Sequence, residues 1–86
     1  MIYVVTYDLN RESVRPNIVG EVKKTSWAKL SESSYGIETD ETAAQVLVRF
    51  RKHLDSNDHC FVITLKAPWD GWGPKDVIDW LSKRLG

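Results

Sequence analysis

Several side chains in this sequence have the atoms needed for chemistry. His53, His59 and Cys60 offer zinc-binding nitrogen and sulfur, but their spacing matches no standard zinc pattern and a structural zinc site needs about four ligands. Their expected roles are ordinary: Cys60 a buried small hydrophobe, and His53 a complement to the dipole at a helix carboxyl terminus. Ser31, Ser33 and Ser34 present hydroxyls, yet no histidine lies near them in sequence to serve as a base, and serine clusters are common in turns. Asp8 follows an apolar run, with Asn10, Arg11 and Arg15 just beyond. An acid so placed either pairs with Arg11 or Arg15, accepts N–H bonds in the following turn, or does chemistry. Glu32 is expected as a surface charge, the alternative being a second metal-binding carboxylate.

Two tryptophans stand out in the stretch Pro68-Trp69-Asp70-Gly71-Trp72-Gly73-Pro74. Trp69 and Trp72 either stack on bases, at about 1–3 kcal/mol per base, or close one end of the core or anchor an interface. Arg49, Arg51 and Lys52 are expected to form a solvated helix face, the alternative being a ridge that faces phosphate.

The elements that must position these groups can be read from periodicity. Ile2 to Tyr7 is β-branched and aromatic throughout, as in a central strand, and ends at Asp8. Pro16 suits the first turn of a short helix carrying Ile18, Val19 and Val22, with Gly20 lowering its intrinsic stability. Two strands, 26–31 and 33–39, are expected next. Thr39 or Asp40 is then expected to cap a helix in whose first turn Glu41 lies, and whose buried face is Ala43, Val46, Leu47, Phe50 and Leu54. Asp55-Ser56-Asn57-Asp58 reads as a turn with Asn57 in a left-handed conformation, and 60–65 as another interior strand. After the turn-rich loop 67–73, Pro74 opens a last helix with Val77, Ile78, Leu81 and Leu85 on one side. The order predicts an α+β, ferredoxin-like βαββαβ sandwich over 1–66, with strands one and three central and an additional C-terminal helix over 74–85.

Composition narrows the function classes. The chain has 86 residues, enough for a single domain. So short a chain buries only about 60% of its unfolded surface, which makes self-association an expected source of extra burial. Twelve basic residues balance twelve acidic ones, which argues against a protein that coats nucleic acid through excess positive charge. No apolar run is long enough to span a bilayer. The first residues, MIYVVTYDL, alternate like a strand and lack the features of a secretory leader. With one cysteine, Cys60, no intrachain disulfide can form, and a reducing, cytoplasmic setting is expected.

Tyr7-Asp8-Leu9-Asn10 after the first strand, then Trp27, Leu30, Glu32-Ser33, Ile37, Thr39-Asp40 and Asp55-Ser56-Asn57-Asp58, together resemble the small bacterial SinR-like proteins. These are similar in length and fold to the CRISPR-associated Cas-two family and the virulence-associated protein D toxins. The resemblance covers residues 1 to about 66. It implies a homodimer of ferredoxin-like protomers that associates with nucleic acid or nucleotides, in phage-defence or mobile-element biology, and that sometimes cleaves nucleic acid with a divalent metal. By the same resemblance Asp8 is the catalytic and metal-binding residue, facing its symmetry mate across the dimer cleft to hold Mg²⁺ or Mn²⁺. Asn10, Arg11 and Arg15 would then hold or orient phosphate; Trp69 and Trp72 lie beyond the span of the resemblance and join the binding surface only on the base-stacking alternative. The alternative function is a non-catalytic dimeric module that uses this cleft and the tryptophan loop to sequester a small nucleotide or bind a protein partner.

Overall fold

The computed structural model describes residues 1–86. Its elements are β1 (Ile2–Asp8), a 3₁₀ turn (Glu12–Val14), α1 (Arg15–Val22), β2 (Ser26–Ser31), β3 (Ser34–Glu38), α2 (Ala43–Arg51), β4 (His59–Thr64) and α3 (Lys75–Leu85). The strands form one antiparallel sheet in the order β2-β3-β1-β4. This is the ferredoxin-like arrangement, with β1 and β3 central as that topology predicts and as the apolar run of β1 fits.

Alternation along the strands divides the sheet into two faces. Tyr3, Val5 and Tyr7 of β1 and Tyr35 and Ile37 of β3 point to one side, where they pack with Ile18 and Val22 of α1 and Val46 and Phe50 of α2. Every buried side-chain polar atom has a partner. The Tyr3 hydroxyl donates to the Glu41 carbonyl at 2.7 Å and the Tyr7 hydroxyl to the Glu32 carbonyl at 3.2 Å. Burial, with the nearby Tyr35, pushes the Tyr7 phenol up to about 12.

The other face is shared unequally. Gly36 stands between Tyr35 and Ile37 and therefore faces away from the core, where a side chain would collide with α3: an added Cβ would lie 2.9 Å from the Trp80 ring. The absence of that Cβ lets the indole lie on the backbone of β3. Its N–H reaches Ser26 Oγ at 3.2 Å, and the Arg84 guanidinium stacks 4.1 Å from the ring centroid while also pairing with Glu38. α3 thus covers β2 and β3. The half formed by β4 and the carboxyl-terminal part of β1 stays open, with Phe61 61% and Ile63 53% exposed.

Four local expectations are corrected. The cap of α2 is Thr42, not Thr39 or Asp40. Thr42 Oγ1 accepts the Gln45 N–H at 3.2 Å and Gln45 Oε1 accepts the Thr42 N–H at 2.8 Å, a reciprocal pair that Thr39 and Asp40 lack. Thr39 instead accepts the Glu41 N–H, so Glu41 precedes the helix. Asn57 is not left-handed, since no residue other than glycine has positive φ; the turn is held by Asp55 Oδ1, which accepts the Asn57 N–H at 2.8 Å. And β4 is an edge strand, because it pairs with β1 alone and the backbone groups along its other side have no strand partner.

Candidate functional site

β1 and β4 run antiparallel so that Asp8, the last residue of β1, lies directly opposite His59, the first of β4. Both side chains are on the open face, in register with Thr6 opposite Phe61 and Val4 opposite Ile63. Asp8 is exposed and its carboxylate has neither an ion-pair nor a hydrogen-bond partner; the same holds for the His59 ring. The expectation that Arg11 or Arg15 neutralises Asp8 fails, because each arginine is engaged elsewhere.

The chain beyond Asp8 is tied to the turn before β4. The Asn10 N–H donates to Asp58 Oδ1 at 2.6 Å, Asp58 Oδ2 accepts the Asp55 N–H at 2.8 Å, and Arg11 pairs with Asp55 at 3.4 Å. The Asn10 and Asp55 N–H bonds hold the Asp58 carboxyl below its ordinary range. These bonds fasten together the two strand ends that carry Asp8 and His59, and they leave the Asn10 side-chain amide free.

Arg15 lies on the opposite face of the sheet. It makes a bidentate pair with Glu12 at 2.7 and 3.0 Å, donates to the Glu32 carbonyl and stacks 5.7 Å from the Tyr7 ring centroid. Tyr7 and Asp8 are successive residues of a strand, so a group stacked on Tyr7 is screened from Asp8 by the sheet. Arg15 is therefore corrected from a partner of Asp8 to an anchor of the β2–β3 turn. Glu32 pairs with Lys29 at 2.9 Å, and Ser31 and Ser34 hydrogen-bond each other at 2.6 Å, so both serve that turn.

The tryptophan loop departs from the far end of the sheet. β4 ends beside Tyr3, and the Leu65 N–H bonds to the Ile2 carbonyl at 2.8 Å, about 20 Å along β1 from Asp8. Trp69 packs beside Gly71 and Ile78 and donates its indole N–H to the Gly86 carbonyl at 3.0 Å, pinning the loop to the chain end. Trp69 is thus a packing residue, while Trp72 is fully exposed. A groove of about 550 Å³ between β2 and α3, lined by Trp27, Lys29, Val77 and Trp80, is also remote from Asp8.

Two features were not anticipated from sequence. Glu21 of α1 is 4% exposed, and its carboxylate meets Arg49 at 3.1 Å, His53 at 3.0 Å, Lys24 at 3.3 Å and Lys52 at 3.5 Å. Arg49 also holds Glu41 through two bonds of 2.8 Å. Arg49 is therefore no solvated residue and no phosphate ridge, and His53, just beyond the carboxyl end of α2, hydrogen-bonds Glu21. Burial alone would raise the Glu21 pKa, but the hydrogen bonds from His53, Arg49 and Lys24 outweigh it and hold the carboxyl at about 2. The second feature is the Asp8–His59 pairing, which a 51-residue separation hides and only strand register reveals.

Within one protomer no three His, Cys, Asp or Glu side chains converge to hold a metal ion. The unpartnered Asp8 carboxylate fits one arm of a divalent-cation site, whose other ligands would come from water or a second copy.

No protein-family model matches the sequence, and no curated protein is significantly similar to it. Among solved structures, the fold matches a hypothetical protein, TT1823 from Thermus thermophilus, with a TM-score of 0.72 and 20% sequence identity over 85% of this chain and 90% of that one. The likeness supports the ferredoxin-like α+β fold. No helix is long and apolar enough to cross a membrane.

Proposed function

We propose that the protein is a cytoplasmic homodimer of the Cas-two and SinR-like kind, acting on nucleic acid or nucleotides, in which Asp8 from two copies forms a metal-dependent phosphodiesterase site. The observation that carries this reading is the placement of Asp8: an exposed, unpartnered carboxylate at the end of a central strand, beside an open sheet face. A carboxylate without protein partners retains its lone pairs for a ligand. A second copy is the favoured occupant of the face because Val4, Thr6, Phe61 and Ile63 carry no charge, and because only 14 of the 86 residues are buried in the isolated protomer.

Such an ion, when bound, supplies an activated water and neutralises charge on a phosphate oxygen. In this reading Asp8 anchors the site, the free Asn10 amide hydrogen-bonds a phosphate oxygen, and Arg11, 58% exposed at its side chain and paired only at 3.4 Å, swings to the phosphate. The defence or mobile-element setting implied by the resemblance belongs to the same proposal.

The test is cleavage of a panel of RNA and DNA by purified protein with Mg²⁺ or Mn²⁺, with Asp8→Asn beside the native chain. Cleavage that disappears in the variant supports the reading; no cleavage, or equal cleavage, overturns it. The dimer is tested separately. Phe61→Lys puts a charge in the middle of the open face, where burial against a partner is costly but solvent is tolerated in the protomer. Light scattering should find dimer for the native chain and monomer for the variant at the same concentration, with circular dichroism showing the variant folded and its unfolding midpoint lowered only by the lost association. A native chain that is monomeric throughout would remove the shared cleft.

Trp72 favours a second reading, a non-catalytic dimeric module. A fully exposed indole between two glycines is built for contact with a ligand or protein, and the neutral net charge weakens the case for duplex binding. Trp72→Ala should then reduce binding of a small nucleotide about tenfold or more, through the lost base stacking, measured by fluorescence anisotropy with a labelled nucleotide. Unchanged affinity would leave Trp72 without a role in that binding.

A further inference from the structure

We propose that His59 is a metal ligand alongside Asp8, so that two copies of the chain assemble a set of two carboxylates and two imidazoles that favours a first-row transition-metal ion over Mg²⁺. The inference rests on the reading of Asp8 above and names the class of ion that its site takes.

Register places the two groups together. Asp8 and His59 are directly opposed on neighbouring strands and share the open face, and opposed residues of an antiparallel pair have Cβ atoms about 4.5–5.5 Å apart. That separation lets a carboxylate and an imidazole reach one ion. Both groups are exposed, and neither spends its lone pairs on another protein group. The contrast with His53 is informative, because that ring is committed to Glu21 at 3.0 Å.

The neighbours that might complete the set within one chain are excluded. Cys60 alternates to the core side of the sheet, where it packs against the hydrophobic cluster and faces away from Asp8 and His59. Asp58 already accepts N–H bonds from Asn10 and Asp55, and Asp55 accepts the Asn57 N–H and pairs with Arg11. With no trio of ligands in one protomer, two protein ligands per chain make half a site, and a two-fold axis beside Asp8 makes a whole one. Imidazole decides the ion: Mg²⁺ takes oxygen ligands and keeps several waters, whereas Co²⁺, Ni²⁺ and Zn²⁺ bind histidine well. The bonds between the chain beyond Asp8 and the 55–58 turn hold the two strand ends in register, so little ordering is left for the ion to impose.

Calorimetric titration of the full chain with CoCl₂, ZnCl₂ and MgCl₂ tests the assignment, with the visible spectrum of bound Co²⁺ as a second readout. The native chain should bind Co²⁺ more tightly than Mg²⁺, at one ion per two chains. His59→Asn should weaken Co²⁺ and Zn²⁺ about tenfold or more and change the Co²⁺ spectrum, while Mg²⁺ stays within about twofold; Asp8→Asn should weaken all three. Circular dichroism confirms that each variant is folded, as expected for exposed positions. Equal Co²⁺ affinity and spectrum in His59→Asn, one ion per chain, or no preference for Co²⁺ over Mg²⁺ would each overturn the proposal. Failure of the nuclease reading looks different: the native chain would bind Co²⁺ through Asp8 and His59 yet cleave nothing, which leaves the ligand assignment standing.

Discussion

Asp8→Asn should lower metal-dependent cleavage of nucleic acid by about a hundredfold or more while leaving folding stability within about 0.5 kcal/mol. The two halves of this expectation have separate grounds. The side chain makes no ion pair or hydrogen bond and is exposed at a strand end, so the isosteric amide removes nothing that the fold uses. In the proposed dimer the same substitution removes both anionic ligands at once, because each copy contributes one. A hundredfold loss is about 3 kcal/mol of transition-state stabilisation, within what a bound divalent ion supplies. Rates on a labelled oligonucleotide, beside a urea melt of each variant, check both halves. A variant that loses activity only because it unfolds would show it in the melt, and undiminished cleavage would remove Asp8 from the site.

Arg49→Met should destabilise the protein by about 3 kcal/mol. Arg49 joins two carboxylates, the buried Glu21 at 3.1 Å and Glu41 at 2.8 Å, and also donates to the Glu21 carbonyl. Methionine preserves much of the volume but leaves Glu21 short of charge compensation in a buried setting. Breaking a buried pair from one side typically costs about 3–5 kcal/mol; the low end applies because Lys24, Lys52 and His53 remain at the carboxylate. Glu21→Gln in the Arg49→Met background should restore part of the loss, since it removes the stranded charge. The urea midpoint of the two variants measures both effects, and an Arg49→Met midpoint equal to the native one would make the network dispensable.

The same network sets an acid limit. The Glu21 carboxyl has its folded pKa lowered from 4.5 to about 2, so the folded state favours the ionised form. That contribution is complete above about 4.5 and is lost as pH falls from there through about 2, when the carboxylate takes up its proton. A lowering of this size corresponds to stability on the order of 3 kcal/mol. Native stability should therefore fall between pH 4.5 and 2, and Glu21→Gln should flatten that part of the profile.

Which parts of the protein were legible in its sequence follows from the range of the interactions involved. β1 was readable because Ile2 to Tyr7 are β-branched or aromatic throughout, with Tyr3, Val5 and Tyr7 alternating onto the buried face. α2 was readable because Val46 and Phe50 recur at helical spacing. Its cap was less so, since Thr39, Asp40 and Thr42 are all capping types and only the Thr42–Gln45 pair closes the box. Arg49 misled for the opposite reason: periodicity placed it away from Phe50, and nothing local reports that Glu21, 28 residues earlier, lies beneath it. Arg15 misled because its distance from Asp8 in sequence carries no information about which face of the sheet it joins.

By itself, then, the sequence determined the order and type of the elements, the central position of β1 and the acid at its end, because these depend on local alternation and helical period. Only the tertiary structure decided that His59 faces Asp8, that Arg15 does not, that Trp69 packs while Trp72 protrudes, and that α3 covers one half of the outer face and leaves the other bare. Each of those outcomes depends on strand register or on a contact between residues distant in the chain, which no window of sequence encodes. The neutral composition says little about where charge is used: the structure spends much of it on ion pairs around Glu21 and leaves Asp8 free.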